Sequence, residues 1–309
     1  MEPVVLGIDI GGTNIAYGLC NKDGKITSSG EVPTNSFSSP DKMADSLFET
    51  LAIHRGAIQA IGIGAPNGNF HTGSIEFAPN LLWKGSIPLG ELFGQKFGVP
   101  VTVTNDANAA AIGEMVFGNA QDLSNFVTIT LGTGLGSGIV IDEHLIHGFD
   151  GFAGEFGHIR VFPGGRNCGC GRKGCLETYA SSTGVIRSIK ELDSPLKMSS
   201  ALNENRDWSA LDVFKLADSG DPFAQEIVRF TAKTLGSALA DFACFSNPKA
   251  YILFGGIAQN GPEFALAVKE AMEAELLNIY QHKIEIRTSA LHDQNAAVLG
   301  AASLAWKQL

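Results

Sequence analysis

Val4-Val5-Leu6-Gly7-Ile8-Asp9-Ile10-Gly11-Gly12-Thr13-Asn14-Ile15-Ala16-Tyr17-Gly18-Leu19-Cys20 (residues 4–20) sets how the rest of the chain is read. Residues 4–10 are a continuous apolar run rich in β-branched side chains, the pattern of a buried strand. Residues 15–20 read as a second strand, and Asn21-Lys22-Asp23-Gly24 is a polar turn before a third that begins near Lys25. Gly11-Gly12-Thr13-Asn14 is therefore the bend of a hairpin. A P-loop or a dinucleotide fingerprint lies instead between a strand and a helix with its own spacing, and neither pattern occurs in the chain. Gly11, Gly12 and Thr13 can hold phosphate oxygens through exposed backbone N–H groups and a hydroxyl. From this stretch alone, a tight hairpin with no ligand reads equally well.

The same plan returns at Phe126–Thr130. That strand leads into Leu131-Gly132-Thr133-Gly134-Leu135-Gly136-Ser137-Gly138, then Ile139-Val140-Ile141 and the turn Asp142-Glu143-His144. The chain reads as two related halves, each offering a Gly-Thr hairpin. Two such bends facing across a cleft can grip one polyphosphate, which strengthens the phosphate reading of each. Between them, Ser39-Pro40 predicts a capped helix running to about His54, and Ala60–Gly64 a short buried strand. Phe77-Ala78-Pro79-Asn80-Leu81 is a loop in which Asn80 is a candidate hydrogen-bonding residue or simply a turn residue. Val99–Thr104 predicts a strand that delivers Asn105-Asp106 to the start of a helix. Asp106 is then either a helix cap or a carboxylate at the mouth of the sheet, poised to accept a proton from a hydroxyl. Further on, helices are expected over Ser181–Leu192, Trp208–Asp218, Asp221 to about Phe245, Pro262 to about Leu277 and Asn295–Leu309. Ala250–Phe254 is a buried strand ending in Gly255-Gly256, a backbone that a flat ring or ribose can approach closely, or a plain strand-to-helix turn.

The 309 residues are 44% hydrophobic and 17% charged, enough for two ordinary cores. A net charge of -10 argues against a nucleic-acid-binding surface. No apolar run reaches transmembrane length, and no basic segment with a signal core opens the chain, so a soluble, cytoplasmic mixed α/β protein is expected.

Gly154–Ser181 (GEFGHIRVFPGGRNCGCGRKGCLETYAS) holds three of the five cysteines, Cys168, Cys170 and Cys175, together with His158, Glu155 and Glu177. Three close cysteines and a histidine match the ligand set of a closed tetrahedral structural zinc site. Ordinary reduced thiols are the alternative, but they seldom cluster in a polar, glycine-rich loop. An ion here would fix both carboxylates in space, as a site for a polyhydroxylated ligand requires.

Asp9-Ile10-Gly11-Gly12-Thr13-Asn14, Asn105-Asp106, Leu131-Gly132-Thr133-Gly134, Glu155-x-x-His158 and Cys168-x-Cys170-x4-Cys175-x-Glu177, in this order, resemble the ROK family (repressors, open reading frames, kinases), and within it the glucokinases. The resemblance covers the whole chain; its specific part is the Glu-x-Gly-His and cysteine motifs. It implies a two-domain, actin-like (ribonuclease H-like) α/β fold with an interdomain cleft. The expected domains are 1–118, with the helix 295–309 packing back onto them, and 119–294. It also implies ATP with Mg2+, a structural Zn2+, a hexose substrate and a homodimer. Asp106 resembles the base for the sugar's 6-hydroxyl; Asn80, Asn105, Asp106, Glu155, His158 and Glu177 resemble the sugar contacts. His158 would serve zinc through one ring nitrogen and sugar through the other, beside Cys168, Cys170 and Cys175. Asp9 resembles the residue that holds magnesium, Gly11 to Asn14 and Gly132, Thr133 and Gly134 the phosphate loops, and Gly255 and Gly256 the adenosine contact. The competing readings are an N-acetylglucosamine or N-acetylmannosamine kinase, a fructokinase, a family repressor, a non-catalytic sugar sensor, and an actin-like ATPase without a sugar substrate.

Overall fold

The structure is a computed structural model that describes residues 2–78, 81–291 and 293–309, with backbone alone at 293–295. Asn80, expected as a sugar contact, lies outside the described residues. The first sheet runs β3-β2-β1-β4-β8, from β1 (Val4–Ile10), β2 (Asn14–Cys20), β3 (Ile26–Pro33), β4 (Ile58–Ala65) and β8 (Val101–Asn105). Strands β1, β2 and β3 form an antiparallel meander, whereas β1, β4 and β8 are parallel. Parallel strands are covered on both faces, which is why β1 and β4 read as mostly apolar runs, interrupted only by Asp9 and Gln59, while the edge strand β3 alternates. A small sheet of β5 (Gly68–Asn69), β6 (Ser74–Glu76) and β7 (Ser86–Ile87) flanks the loop expected at 77–81 and was not anticipated from the sequence. Strands of two or three residues leave no periodic signal to read. The second sheet runs β11-β10-β9-β12-β13, from β9 (Phe126–Leu131), β10 (Leu135–Ile141), β11 (His144–Leu145), β12 (Ala250–Phe254) and β13 (Glu285–Thr288), with β9, β12 and β13 parallel.

The helices are α1 (Pro40–Thr50), α2 (Leu89–Phe97), α3 (Asp106–Phe117), α4 (Glu177–Ala180), α5 (Ser182–Glu191), α6 (Ala210–Asp218), α7 (Pro222–Ser246), α8 (Pro262–Glu275) and α9 (Asp293–Trp306). Their ends follow capping chemistry. Asp221 accepts from the N–H groups of Phe223 and Ala224 ahead of α7, and Asn247, at φ 37°, closes it in the left-handed conformation. Ser39 caps α1 as expected, but α1 ends at Thr50 because the bonds beyond tighten to a one-turn, i to i−3 pattern through His54.

Two compact units result: Met1–Asp122 with Gly138–Gly154 and Ala290–Leu309, and Leu123–Ser137 with Glu155–Ser289. Residues 138–154 belong to the first unit; there Asn69 donates to the Asp150 carbonyl at 2.7 Å, and Gly138 lies against Ala107 and Ala111. In the same unit α9 packs on β1, β4 and α3. Its small residues allow this: a Cβ on Gly62 would overlap the Ala301 carbonyl, and one on Gly300 the Ala109 carbonyl. Among the described residues no helix is long and apolar enough to cross a membrane.

Candidate active site

In the first unit, strand register brings two acids to one edge. Asp9 on β1 pairs with Gly64 on β4, and Gly64 with Thr104 on β8, so Asp9 and Asn105-Asp106 sit together at the carboxyl ends of three parallel strands. That is where open α/β sheets bind ligands. Between them Gly64 lacks a side chain; a Cβ there would lie 3.8 Å from Asp9 Oδ1 and 3.7 Å from the Asp106 Cα. The helix-cap role turns out to belong to Asn105, whose side-chain oxygen accepts from the Ala107 N–H at 2.8 Å. Asp106 is the first helical residue, with Oδ1 also 2.8 Å from that N–H. It keeps solvent-accessible surface, yet protein atoms crowd it; desolvation raises its pKa and outweighs the two backbone N–H groups that lower it. Asp9 is pushed up to about 7, by burial first and by the charge of Asp106 second.

The Asp9 shift fixes a sign. A carboxyl whose folded pKa exceeds its unfolded value holds its proton more tightly when folded, so its contribution is present below about pH 4 and is lost as pH rises toward 7. Asp9→Asn removes this loss. Without ligands, the variant is expected to melt above the wild type at pH 8 and level with it at pH 4; equal melting at both values would contradict the shift.

The first glycine hairpin is braced from behind. Gly11 N–H donates to the Asn14 carbonyl (2.8 Å), while buried Thr34 donates its hydroxyl to the Gly11 carbonyl (2.7 Å) and its N–H to the Thr13 carbonyl (2.8 Å). Gly12, Thr13 and Asn14 stay exposed. Thr34 had no local signal; only the β2–β3 register, which pairs Asn14 with Pro33, places it there.

In the second unit, His158, Cys168, Cys170 and Cys175 converge, with ligand atoms all within 4.8 Å of one another. Cys170 and Cys175 sulfurs are 3.7 Å apart, and Cys168 Sγ is 3.6 Å from His158 Nδ1. A tetrahedron with zinc–sulfur bonds of about 2.3 Å has edges of about 3.8 Å, so the donor set fits a zinc ion in type, number and spacing. Without a cation the thiols cannot all ionise: burial pushes Cys168 up to about 12, while Cys170, despite its own desolvation, falls to about 7 through hydrogen bonds from Arg172, Cys168 and Cys175. The other ring nitrogen of His158 faces Glu155 Oε2 at 3.8 Å. One histidine thus points one nitrogen at the thiols and the other at a carboxylate.

Glu177 opens α4 and faces the same cluster, with Oε1 3.7 Å from Cys168 Sγ. Its Oε2 accepts from the Leu135 N–H at 3.1 Å, beside the second hairpin, where Gly132 and Thr133 are exposed. Strands β9 and β12 end side by side, Thr130 opposite Phe254, which sets Gly255 against Leu131. At Gly255 φ is +100° and a Cβ would lie 2.7 Å from the Leu131 carbonyl oxygen, so only glycine fits. Gly256 is exposed next to it, and the loop continues to α8 at Pro262. Glu155, His158, Glu177, Gly132, Thr133, Gly134, Gly255 and Gly256 are thus all in the second unit; Asp9, Gly11, Gly12, Thr13, Asn14, Asn105 and Asp106 are in the first. Gly64, Thr34 and buried Arg166 were not singled out from the sequence; Gly64 alone had a readable signal, a glycine inside a strand.

The sequence profile of the ROK family matches residues 5–308. A glucokinase from Halalkalibacterium halodurans is 38% identical, across 98% of this chain and 95% of its own length. A ROK family glucokinase from Streptomyces griseus, solved in complex with glucose and AMPPNP, superposes with a TM-score of 0.80 at 35% identity, covering 98% of this chain and 99% of that one. A xylose repressor from Bacillus spizizenii is 29% identical, across 97% of this chain and 76% of its own length.

Proposed function

The chain belongs to the ROK family, and we infer that it is a sugar kinase, an ATP-dependent hexokinase that phosphorylates the 6-hydroxyl of glucose. Near full-length similarity to a glucokinase solved with glucose and an ATP analogue carries this reading, and the fold is accordingly the two-domain, actin-like one. The repressor match is weaker in identity and covers less of its partner.

The roles are those that the family resemblance implies for these residues. Asp106, at a strand end and with a raised pKa, accepts the proton of the 6-hydroxyl as the oxygen attacks the γ-phosphorus. The bond from that phosphorus to the bridging oxygen breaks, and the electron pair leaves with ADP. Such a transfer depends on in-line placement and charge neutralisation. N–H groups of Gly11–Asn14 and Gly132–Gly134 hold phosphate oxygens, and Gly255-Gly256 lets adenosine lie against the backbone. Asp9 would hold Mg2+, through water, and the ion when bound neutralises charge on the β- and γ-phosphates. Asn80, Asn105, Glu155, His158 and Glu177 hold the ring hydroxyls, with Zn2+ on His158, Cys168, Cys170 and Cys175 as structural support. The proposal includes a homodimer in the cytoplasm.

An ADP-release assay against glucose, mannose, N-acetylglucosamine, N-acetylmannosamine, fructose and 6-deoxyglucose tests it. Glucose is expected to give the highest kcat/KM and 6-deoxyglucose no turnover. ADP release without sugar would point to a plain ATPase, an amino sugar ahead of glucose to the other kinase branch, and glucose binding without ADP release to a sensor.

A further inference from the structure

Three hydrogen bonds fasten the second glycine hairpin to one short segment. Leu135 N–H donates to Glu177 Oε2 (3.1 Å), Ser182 N–H donates to the Gly132 carbonyl (2.9 Å), and the Thr183 hydroxyl donates to the Thr133 carbonyl (2.9 Å). Glu177 reaches so close that a Cβ on Gly134 would overlap its Oε2. The segment 177–183 runs on directly from the cysteine loop, Cys175 being two residues from Glu177 along the chain. From the same loop comes Arg166, whose side chain is only 8% exposed. Its guanidinium donates to the Thr178 carbonyl (2.7 Å), the Gly184 carbonyl (3.1 Å) and Ser188 Oγ (2.9 Å), pairs with Glu191 (2.6 Å), and lies 4.5 Å over the Tyr179 ring. A largely buried guanidinium with several partners of this kind fixes geometry. The thiols and the hairpin are therefore two ends of one continuous, hydrogen-bonded body.

We propose that an ion on His158, Cys168, Cys170 and Cys175 and a nucleotide on Gly132–Gly134 are energetically coupled through residues 175–183, with Glu177 and Arg166 as positioning residues for the hairpin. The proposal rests on reading the cluster as a zinc site and the hairpin as a phosphate loop. An ion that fixes the relative positions of Cys168 and Cys175 also fixes Glu177 and Arg166, so the hairpin's N–H groups are preorganised before nucleotide arrives. Removing the ion leaves the segment free to shift, and ordering it again costs affinity. Coupling between sites is typically about 5- to 150-fold, and it is reciprocal. Nucleotide should therefore raise the affinity for zinc, in competition with a chelator, by the same factor by which zinc tightens nucleotide.

The test uses the intact, zinc-loaded protein without sugar. Removal of zinc by a chelator is expected to weaken AMPPNP binding at least fivefold and to speed amide hydrogen exchange in the peptide spanning residues 131–137. AMPPNP is expected to raise the chelator concentration needed to strip the zinc. Glu177→Gln keeps an oxygen that can accept from Leu135 and should keep slow exchange there; Glu177→Ala should lose it. AMPPNP affinity and exchange over 131–137 that do not change on zinc removal would overturn the coupling, as would equal exchange in the two Glu177 variants. Glucose-dependent ADP release by the wild type, measured first, tests the underlying kinase reading separately.

Discussion

Asp106→Asn is expected to lower kcat by roughly 10²- to 10⁴-fold, the usual worth of a positioned general base, while glucose affinity stays within about threefold of wild type. The substitution keeps size and hydrogen-bonding capacity, and the Asn side-chain oxygen can still face the Ala107 N–H that Asp106 Oδ1 faces. It removes only the ability to accept a proton. Folding should be unharmed: helix α3 is capped by Asn105, and loss of a carboxyl whose pKa is raised by desolvation takes away a cost rather than a contact. Glucose binding by titration calorimetry and kcat by ADP release separate the two quantities. Full turnover in the variant would remove Asp106 from the reaction, and loss of both binding and turnover would make it a sugar ligand first. The variant also lifts a charge from Asp9, whose pKa should then fall below about 7.

Cys168→Ser is expected to bring zinc content well below one ion per chain and to raise KM for glucose at least tenfold. Hydroxyl oxygen is a poor replacement for thiolate in a closed zinc site, and Cys168 lies within 3.6 Å of His158 Nδ1 and 3.7 Å of Glu177 Oε1. The same substitution thus disturbs a ligand and both neighbours proposed to touch sugar. Metal retention should also fall as pH falls, because thiols must lose protons to bind and burial pushes Cys168 up to about 12 and raises Cys175 as well. Elemental analysis of protein dialysed at pH 8 and pH 5.5 checks both statements. A metal-free wild type with full activity would contradict them.

Much of this was legible in the chain because the strong signals are chemical. The runs at 4–10 and 126–131 are largely buried on both faces and so are mostly apolar, broken only by Asp9 in the first and by Thr128 and Thr130 in the second, and the cysteine spacing leaves few alternatives to a metal. Asp221-Pro222 and Asn247-Pro248 bound α7 by capping geometry, which acts within a few residues. What the sequence could not disclose depends on register. Gly64 lies between Asp9 and Asp106 only because three parallel strands align Asp9, Gly64 and Thr104. Thr34 supports the first hairpin from the far end of β3, and Arg166 supports α4 and α5 across many residues. Each is a polar group serving a partner distant in sequence, which periodicity does not encode. Whether Asp106 caps α3 also needed coordinates: Asn105 holds the cap position, and Asp106 is the first helical residue.

The reaction assigned here requires the primary alcohol of a bound hexose to lie against one carboxylate. A crystal structure of the zinc-loaded protein with glucose and AMPPNP measures that contact. The account predicts the sugar's O6 at hydrogen-bond distance from an Asp106 carboxylate oxygen, about 2.6–3.2 Å, with Glu155, His158 and Glu177 on the ring hydroxyls. Asp106 facing away from a sugar that those three residues hold would contradict it.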